Sequence, residues 1–261
     1  MKPGLFLRTH ALIVYLFLYA PIAILVLFSF NATSQTAVWQ GFTLEWYRSL
    51  LDDSLILDAV RNSLVVGVAT TAIATVLGTL VALALGRYAF RGREATKSLL
   101  YLPIIIPEIV IGAALVTFFG AAGLRLSLTT VVISHVVFSI SYVAIVVRAR
   151  LSGFDRSLEE AALDLGARPV QVFFRVTLPL ILPGIVSGAL LVFTVSIDDY
   201  VITSFVAGVG STTLPLQIYS MLKVGVTPEV NAVSTLLLAV TVVLILVAQR
   251  LQQPPAERAE S

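Results

Sequence analysis

The hydrophobic positions of this chain fall into long, almost uncharged runs, without the strict alternation of half-buried strands or the single stripe of surface helices. A bilayer core takes roughly 20 apolar residues of helix, and six runs come close to that length. They cover 11–30, 63–85, 98–119, 128–147, 182–206 and 232–248. Pro21 interrupts the first, which a membrane helix tolerates. The third carries Pro103, Pro107 and Glu108, and the fifth is interrupted by Asp198 and Asp199. Runs of this length far exceed barrel strands. The pattern therefore predicts an all-α fold, a polytopic bundle of six transmembrane helices forming one domain over 1–261. The first run could instead be a cleaved signal peptide with Lys2 and Arg8 as its basic end, but it is long for that and no clean A-x-A site follows.

Composition agrees. The 261 residues are 58% hydrophobic and only 12% charged, with a mean hydropathy of +0.97. Soluble domains carry about 25% charged residues, so an ordinary cytoplasmic enzyme is excluded. A formal net charge of +2 is too small for a phosphate-neutralising surface, which excludes nucleic acid as a partner. With no cysteine, disulfides and thiolate sites are excluded as well.

The basic residues set the orientation. Lys2 and Arg8, then Arg87, Arg91, Arg93 and Lys97, then Arg148, Arg150, Arg156, Arg168 and Arg175, and finally Arg250 and Arg258 all fall on one side of the six spans. Arg48, Arg61, Arg125 and Lys223 fall on the other. The richer side belongs in the cytoplasm, which predicts that both termini are cytoplasmic. On the outer side, Asn31-Ala32-Thr33 matches a glycosylation sequon, a triplet that also arises often by chance.

The stretch between the fourth and fifth runs, 152–183, is too regular to be a simple connector. Ser157 and Glu160 have the spacing of a capping box. Glu159 and Glu160 sit where a helix N-terminus favours acids. Leu158, Ala161, Ala162 and Leu165 form an apolar stripe. Gly166 suits the left-handed position that ends a helix, and Pro169 suits the opening of a second one, which Leu178-Pro179 should stop. The prediction is a short cytoplasmic helix–glycine–helix hairpin. It could lie on the bilayer interface or dock in a partner's groove, and the small alanines favour docking.

Glu160-Ala161-Ala162, then Gly166, then Val176-Thr177-Leu178-Pro179 resemble the EAA loop of ABC-importer permeases. Further on, Phe193 to Tyr200, Leu214 to Ser220 and Val224 to Ala232 resemble the spermidine/putrescine importer permeases, in particular the second of their two permease subunits. The pattern of Leu102 to Glu108 is similar but less diagnostic. The resemblance implies the type I ABC-importer permease fold in a bacterial inner membrane. It also implies that Glu160, Ala161, Ala162, Gly166, Leu178 and Pro179 couple the chain to an ATPase. The partners it implies are a second permease forming a heterodimer, two ATP-binding subunits that hold the ATP and Mg2+, and an extracytoplasmic polyamine-binding protein. No cofactor is expected on this chain. Related permeases carry other cationic or amine-bearing solutes.

Ionisable groups inside a membrane helix are costly and by default functional. Adjacent residues of a helix point about 100° apart, so Asp198 and Asp199 can face one pore together only if the helix breaks there. They could bind a cation beside the rings of Tyr200 and Tyr219, cap a restarted helix, or lie at the wet outer interface. Glu108 is either a pathway residue or the partner of a polar group on another helix. Glu229, after Pro228, suits an N-terminal acid, with a pathway role as the alternative. His135 is expected to hydrogen-bond a neighbouring helix, and Gly67, Thr70, Thr71, Thr75 and Gly78 to form a packing face. No G-x-x-x-x-G-K-[ST] loop is present, and His10 and His135 are the only histidines, so neither ATP hydrolysis nor a catalytic triad can reside here. A proton- or ion-coupled secondary transporter is the competing class, with the same three acids as its ion sites.

Overall fold

The computed structural model describes residues 5–33 and 38–252; Lys2 and Arg258 of the charge pattern lie outside them. Twelve α-helices and one π-helical turn follow one another among these residues, with no strand. Five helices are long and apolar enough to cross a membrane, and a sixth span forms if one bent pair is counted as a unit. The residues divide into two compact units, one built from Met1–Asp58 and Gln217–Val240, the other from Ala59–Leu216 and Thr241–Ser261.

In the first unit, α1 (Leu5–Phe28) passes through Pro21 without interruption and leads to a loop and the short helix α2 (Glu45–Asp52). Asn31 organises that loop. Its side-chain amide donates to the Val38 carbonyl at 2.8 Å, its Oδ1 accepts the Gln40 N–H at 2.9 Å, and its own carbonyl accepts the Trp46 indole N–H at 2.8 Å. The residue is fully buried. The sequon is therefore a structural feature, since the nitrogen that would carry a glycan is enclosed and bonded.

The second unit holds most of α3 (Ser54–Arg87), whose 34 residues extend about 50 Å at 1.5 Å per residue, well beyond the expected 63–85. The third run is not one span of straight helix. Helix α4 (Arg93–Ile105) and α5 (Glu108–Ala121) meet at 107°. Ile106 and Pro107 are both extended, with ψ of 131° and 135°, because proline disfavours helical backbone in the residue before it and has no N–H to give back. Next come α6 (Leu128–Ser152), α7 (Ser157–Asp164) and α8 (Pro169–Val172). Leu178-Pro179 does not stop the helix. A π turn at Phe173–Thr177 carries α8 directly into α9 (Leu178–Asp198), so the span begins at Pro169 instead of 182. Pro179 therefore lies inside a continuous helix, directly after the π turn. A break follows, then α10 (Val201–Val206); α11 (Leu214–Val224) and α12 (Pro228–Gln252) come next in the chain, with Gln217–Val240 belonging to the first unit.

Two apolar clusters hold the second unit. Val66, Phe119, Val131, Phe138, Ile202 and Val206 form one, and Ala74, Ala82, Val143, Val147, Ile181 and Val192 the other. Small residues let the helices approach. A Cβ on Gly78 would lie 2.6 Å from that of Val143, and one on Gly112 would lie 2.6 Å from the Phe205 ring. The tightest approach is at Gly208, where a Cβ would stand 1.8 Å from the Leu126 carbonyl oxygen. Gly208→Ala must therefore displace backbone and should cost at least about 3 kcal/mol, whereas Gly120→Ala meets nothing within 4 Å. Thermal unfolding of the purified protein in detergent checks this: the first variant should melt well below the parent and the second should not.

Candidate functional site

The helix–glycine–helix hairpin folds as the spacing predicts at its glycine and differently at its start. Gly166 has φ +84°. The Gly166 N–H reaches the Leu163 carbonyl at 2.9 Å and the Ala167 N–H reaches Ala162 at 3.1 Å, the paired closure of a Schellman motif. At the start, Ser157 and Glu160 form no capping box. Asp155 does the capping, accepting the Ser157 N–H at 2.9 Å, and bonds from the Ser157 N–H and hydroxyl hold its carboxyl below the usual carboxylate range. Glu159 turns inward, where one of its oxygens accepts from both Arg87, at the end of α3, and Thr177, in the π turn. Glu160 and Ala161 stay exposed on the outer side of α7 with Leu158 and Leu163, while Leu165 beyond the helix is 89% exposed. Leu178 and Pro179 lie beyond the π turn, at the root of α9.

The second set of predicted residues gathers at two breaks. Asp199 ends α9 and is buried. Its Oδ2 accepts the Thr203 N–H and hydroxyl, each at 2.8 Å, and Oδ1 accepts the Ile202 N–H at 3.3 Å. It therefore closes the open N-terminus of α10. His135 of α6, fully buried, adds a further bond from Nε2 at 3.1 Å, while its Nδ1 contacts the Ser196 hydroxyl at 2.8 Å. With Nε2 protonated, Nδ1 accepts from Ser196 and every polar atom of the ring is satisfied. His135 thus bonds a neighbouring helix as expected, but its partner was not foreseen.

Asp198 points the other way and is exposed. Glu108 opens α5 at the other break, is also exposed, and lies within electrostatic reach of Asp199 and His135. Helix α5 packs along α10, so one pair of helices carries both breaks. Tyr200 is half-buried beside them. Tyr219 and Glu229 belong to the other unit. The Lys223 ammonium lies 4.9 Å from the centre of the Tyr219 ring, which therefore already faces a cation. Glu229 stands in the first turn of α12 and accepts a long bond of 3.4 Å from Ser49.

Long apolar helices, one bent in its middle and another broken at a buried carboxylate, with a capped hairpin between two of them, define a polytopic membrane transport component. The chain belongs to the family of binding-protein-dependent transport system inner membrane components, which matches residues 74–254. By that description it is a multi-pass inner-membrane subunit working with a separate binding protein. It is 41% identical over 237 residues to the spermidine/putrescine transport system permease protein PotC of Haemophilus influenzae, covering 91% of this chain and 92% of that one. It is 43% identical over 231 residues to the putrescine transport system permease protein PotI of Escherichia coli K12, covering 86% and 82%. In fold it matches a bacterial ABC transporter that imports alginate, with a TM-score of 0.70 at 19% identity over 95% of this chain and 94% of that one. The chain is a transport subunit and not itself an enzyme.

Removing one partner of a buried hydrogen-bonded charge costs about 3 kcal/mol or more. His135→Leu should therefore lower the melting temperature in detergent markedly, and Asp198→Asn, at an exposed carboxylate, should leave it within error. Equal melting of the two variants would remove the buried network from the account.

Proposed function

We propose that this chain is the permease subunit of an ATP-driven importer that carries polyamines of the spermidine and putrescine class into the cytoplasm. The observation that supports it most is the 41–43% identity to PotC and PotI over most of its length. It pairs with a second permease, two ATP-binding subunits that hold ATP and Mg2+, and an extracytoplasmic polyamine-binding protein, with both of its termini in the cytoplasm.

In this reading the hairpin is the lever. Exposed Glu160 and Ala161, with part-buried Ala162 beside them, enter a cleft of the ATPase, with Gly166 shaping the turn. Leu178 and Pro179 at the root of α9 carry the motion into the membrane. Glu159 clamps α7 to α3 and to the π turn, so a push on α7 reaches both helices together. Closure of the ATPases opens the path outward, and the binding protein releases its cation between the two permeases. Glu108 and Asp198 offer exposed carboxylates at the two breaks to the ammonium groups. Tyr200 offers an aromatic face and Asp199 shapes the break, while Tyr219 and Glu229, on the other unit, are separate candidates for contact with the same solute. Binding along this path must stay weak, because a ligand moves a conformational equilibrium only by its differential affinity for the two states.

The test is uptake of labelled spermidine by polyamine-starved cells expressing the complete transporter, with unlabelled putrescine as competitor. Saturable uptake that disappears when this chain is omitted is the expected result. A left-handed position costs a residue with a Cβ about 1–2 kcal/mol, so Gly166→Val should lower uptake about tenfold and weaken ATPase co-purification. Asp198→Asn and Glu108→Gln should reduce uptake while leaving the ATPase bound. An intact complex that hydrolyses ATP but takes up no polyamine would keep the importer and discard the substrate.

A further inference from the structure

Beside the hairpin, on the face that the charge pattern assigns to the cytoplasm, lies a cavity of about 180 Å³ lined by Arg87, Arg93, Arg148, Arg156 and Glu159. Four guanidinium groups meet one carboxylate there. Glu159 is bonded to Arg87. Arg93 donates to the Leu85 carbonyl at 3.1 and 2.7 Å, and Arg156 to the Gly86 carbonyl at 3.1 Å. Those carbonyls belong to the last turn of α3, whose dipole is equivalent to only about half a negative charge. Arg148 makes no hydrogen bond or ion pair among the described residues. Glu94, which lies within electrostatic reach of both Arg93 and Arg148, is bonded to Lys97. Among the described residues no carboxylate bonds Arg93, Arg148 or Arg156, so these three guanidinium groups outnumber the one nearby acid, and two of them are held in fixed positions by backbone carbonyls.

A guanidinium carries five N–H donors in a planar fork suited to phosphate oxygens, so donors remain at every arginine after these bonds. The rest of the wall is mainly apolar, formed by Leu85, Leu151 and Phe154 with Gly86 and Ser152. A fixed cationic cluster against an apolar wall, at the end of membrane-spanning helices, matches the place where a phosphate group meets the start of an acyl chain. We propose that this cavity binds a phosphate group, carried there by an anionic phospholipid of the cytoplasmic leaflet. It stands on the charge balance of the cavity and does not depend on which solute the transporter carries.

The test is lipid retention by the full chain, purified with its assembled partners into phosphatidylcholine nanodiscs containing graded phosphatidylglycerol and read by native mass spectrometry. The Arg148 side chain makes no hydrogen bond or ion pair among the described residues, so its variants should assemble normally. Each basic residue near an anionic headgroup contributes about 1 kcal/mol, so R148Q should bind phosphatidylglycerol about fivefold more weakly and R148E about thirtyfold. R91Q, at an exposed arginine outside the cavity, should match the parent. Retention that survives millimolar inorganic phosphate supports the lipid as the carrier. Displacement by inorganic phosphate, with binding still lost in R148E, overturns the lipid assignment and leaves a site for soluble phosphate. Equal retention by the parent and R148E overturns the site altogether.

Discussion

A helix that breaks inside a bilayer leaves N–H groups where water cannot reach them, and something in the protein must accept them. At the break between α9 and α10 that acceptor is Asp199. Its two oxygens take the N–H groups of Ile202 and Thr203 together with the Thr203 hydroxyl, and His135 ties the same carboxylate to α6. Without it α10 would have no stable start, and α10 is the helix that packs on α5 beside the other break. The placement of Asp198 and Glu108 relative to the rest of the unit thus depends on one buried carboxylate that is itself out of reach of solvent.

The same economy of polar groups governs the packing. In lipid there is little hydrophobic drive between helices, so close contact and a few interhelical bonds have to hold them. Gly78 against Val143, Gly112 against Phe205 and Gly208 against the Leu126 backbone supply the contact. The Thr130 hydroxyl supplies a bond, reaching the Val206 carbonyl at the end of α10 at 2.8 Å. A unit built this way is stiff where the glycines lie.

The spans were legible in the sequence because apolar length is a physical requirement of the bilayer, and the hairpin's glycine was legible because a left-handed residue leaves few alternatives. Breaks were harder. Pro21, Pro103, Pro107 and Pro183 all stand in apolar runs, yet only Pro107 stands at a sharp bend; the others lie inside continuous helices. Whether a neighbouring turn can absorb a missing N–H is a tertiary property that no local pattern carries. Leu178-Pro179 misled for that reason, since a π turn just before it carries the helix through. At Ser157 the spacing favoured a capping box, but Asp155 two residues earlier captured the same N–H and left Glu160 exposed. At Asn31 the sequon pattern concealed a side chain enclosed by its own loop. The capping role of Asp199 was among the readings the sequence left open; that His135 would be its partner depends on α6 and α9 packing together, which the residues alone do not state.

Two pairs of adjacent acids, Glu159 with Glu160 and Asp198 with Asp199, divide in the same way. Neighbours on a helix diverge by about 100°, so when one carboxylate of a pair faces the protein interior its neighbour cannot. Glu159 and Asp199 each collect donors from two other parts of the fold, and each fixes the local backbone. Glu160 and Asp198 are thereby turned outward and left exposed. The inward acid sets the direction of the outward one, because the backbone it fixes is shared. An acid pair in such a chain is then one device, with its anchoring half turned inward and its other half exposed. Replacing the inward member disturbs the exposed one through that backbone, while replacing the exposed member removes a charge and leaves the fold in place.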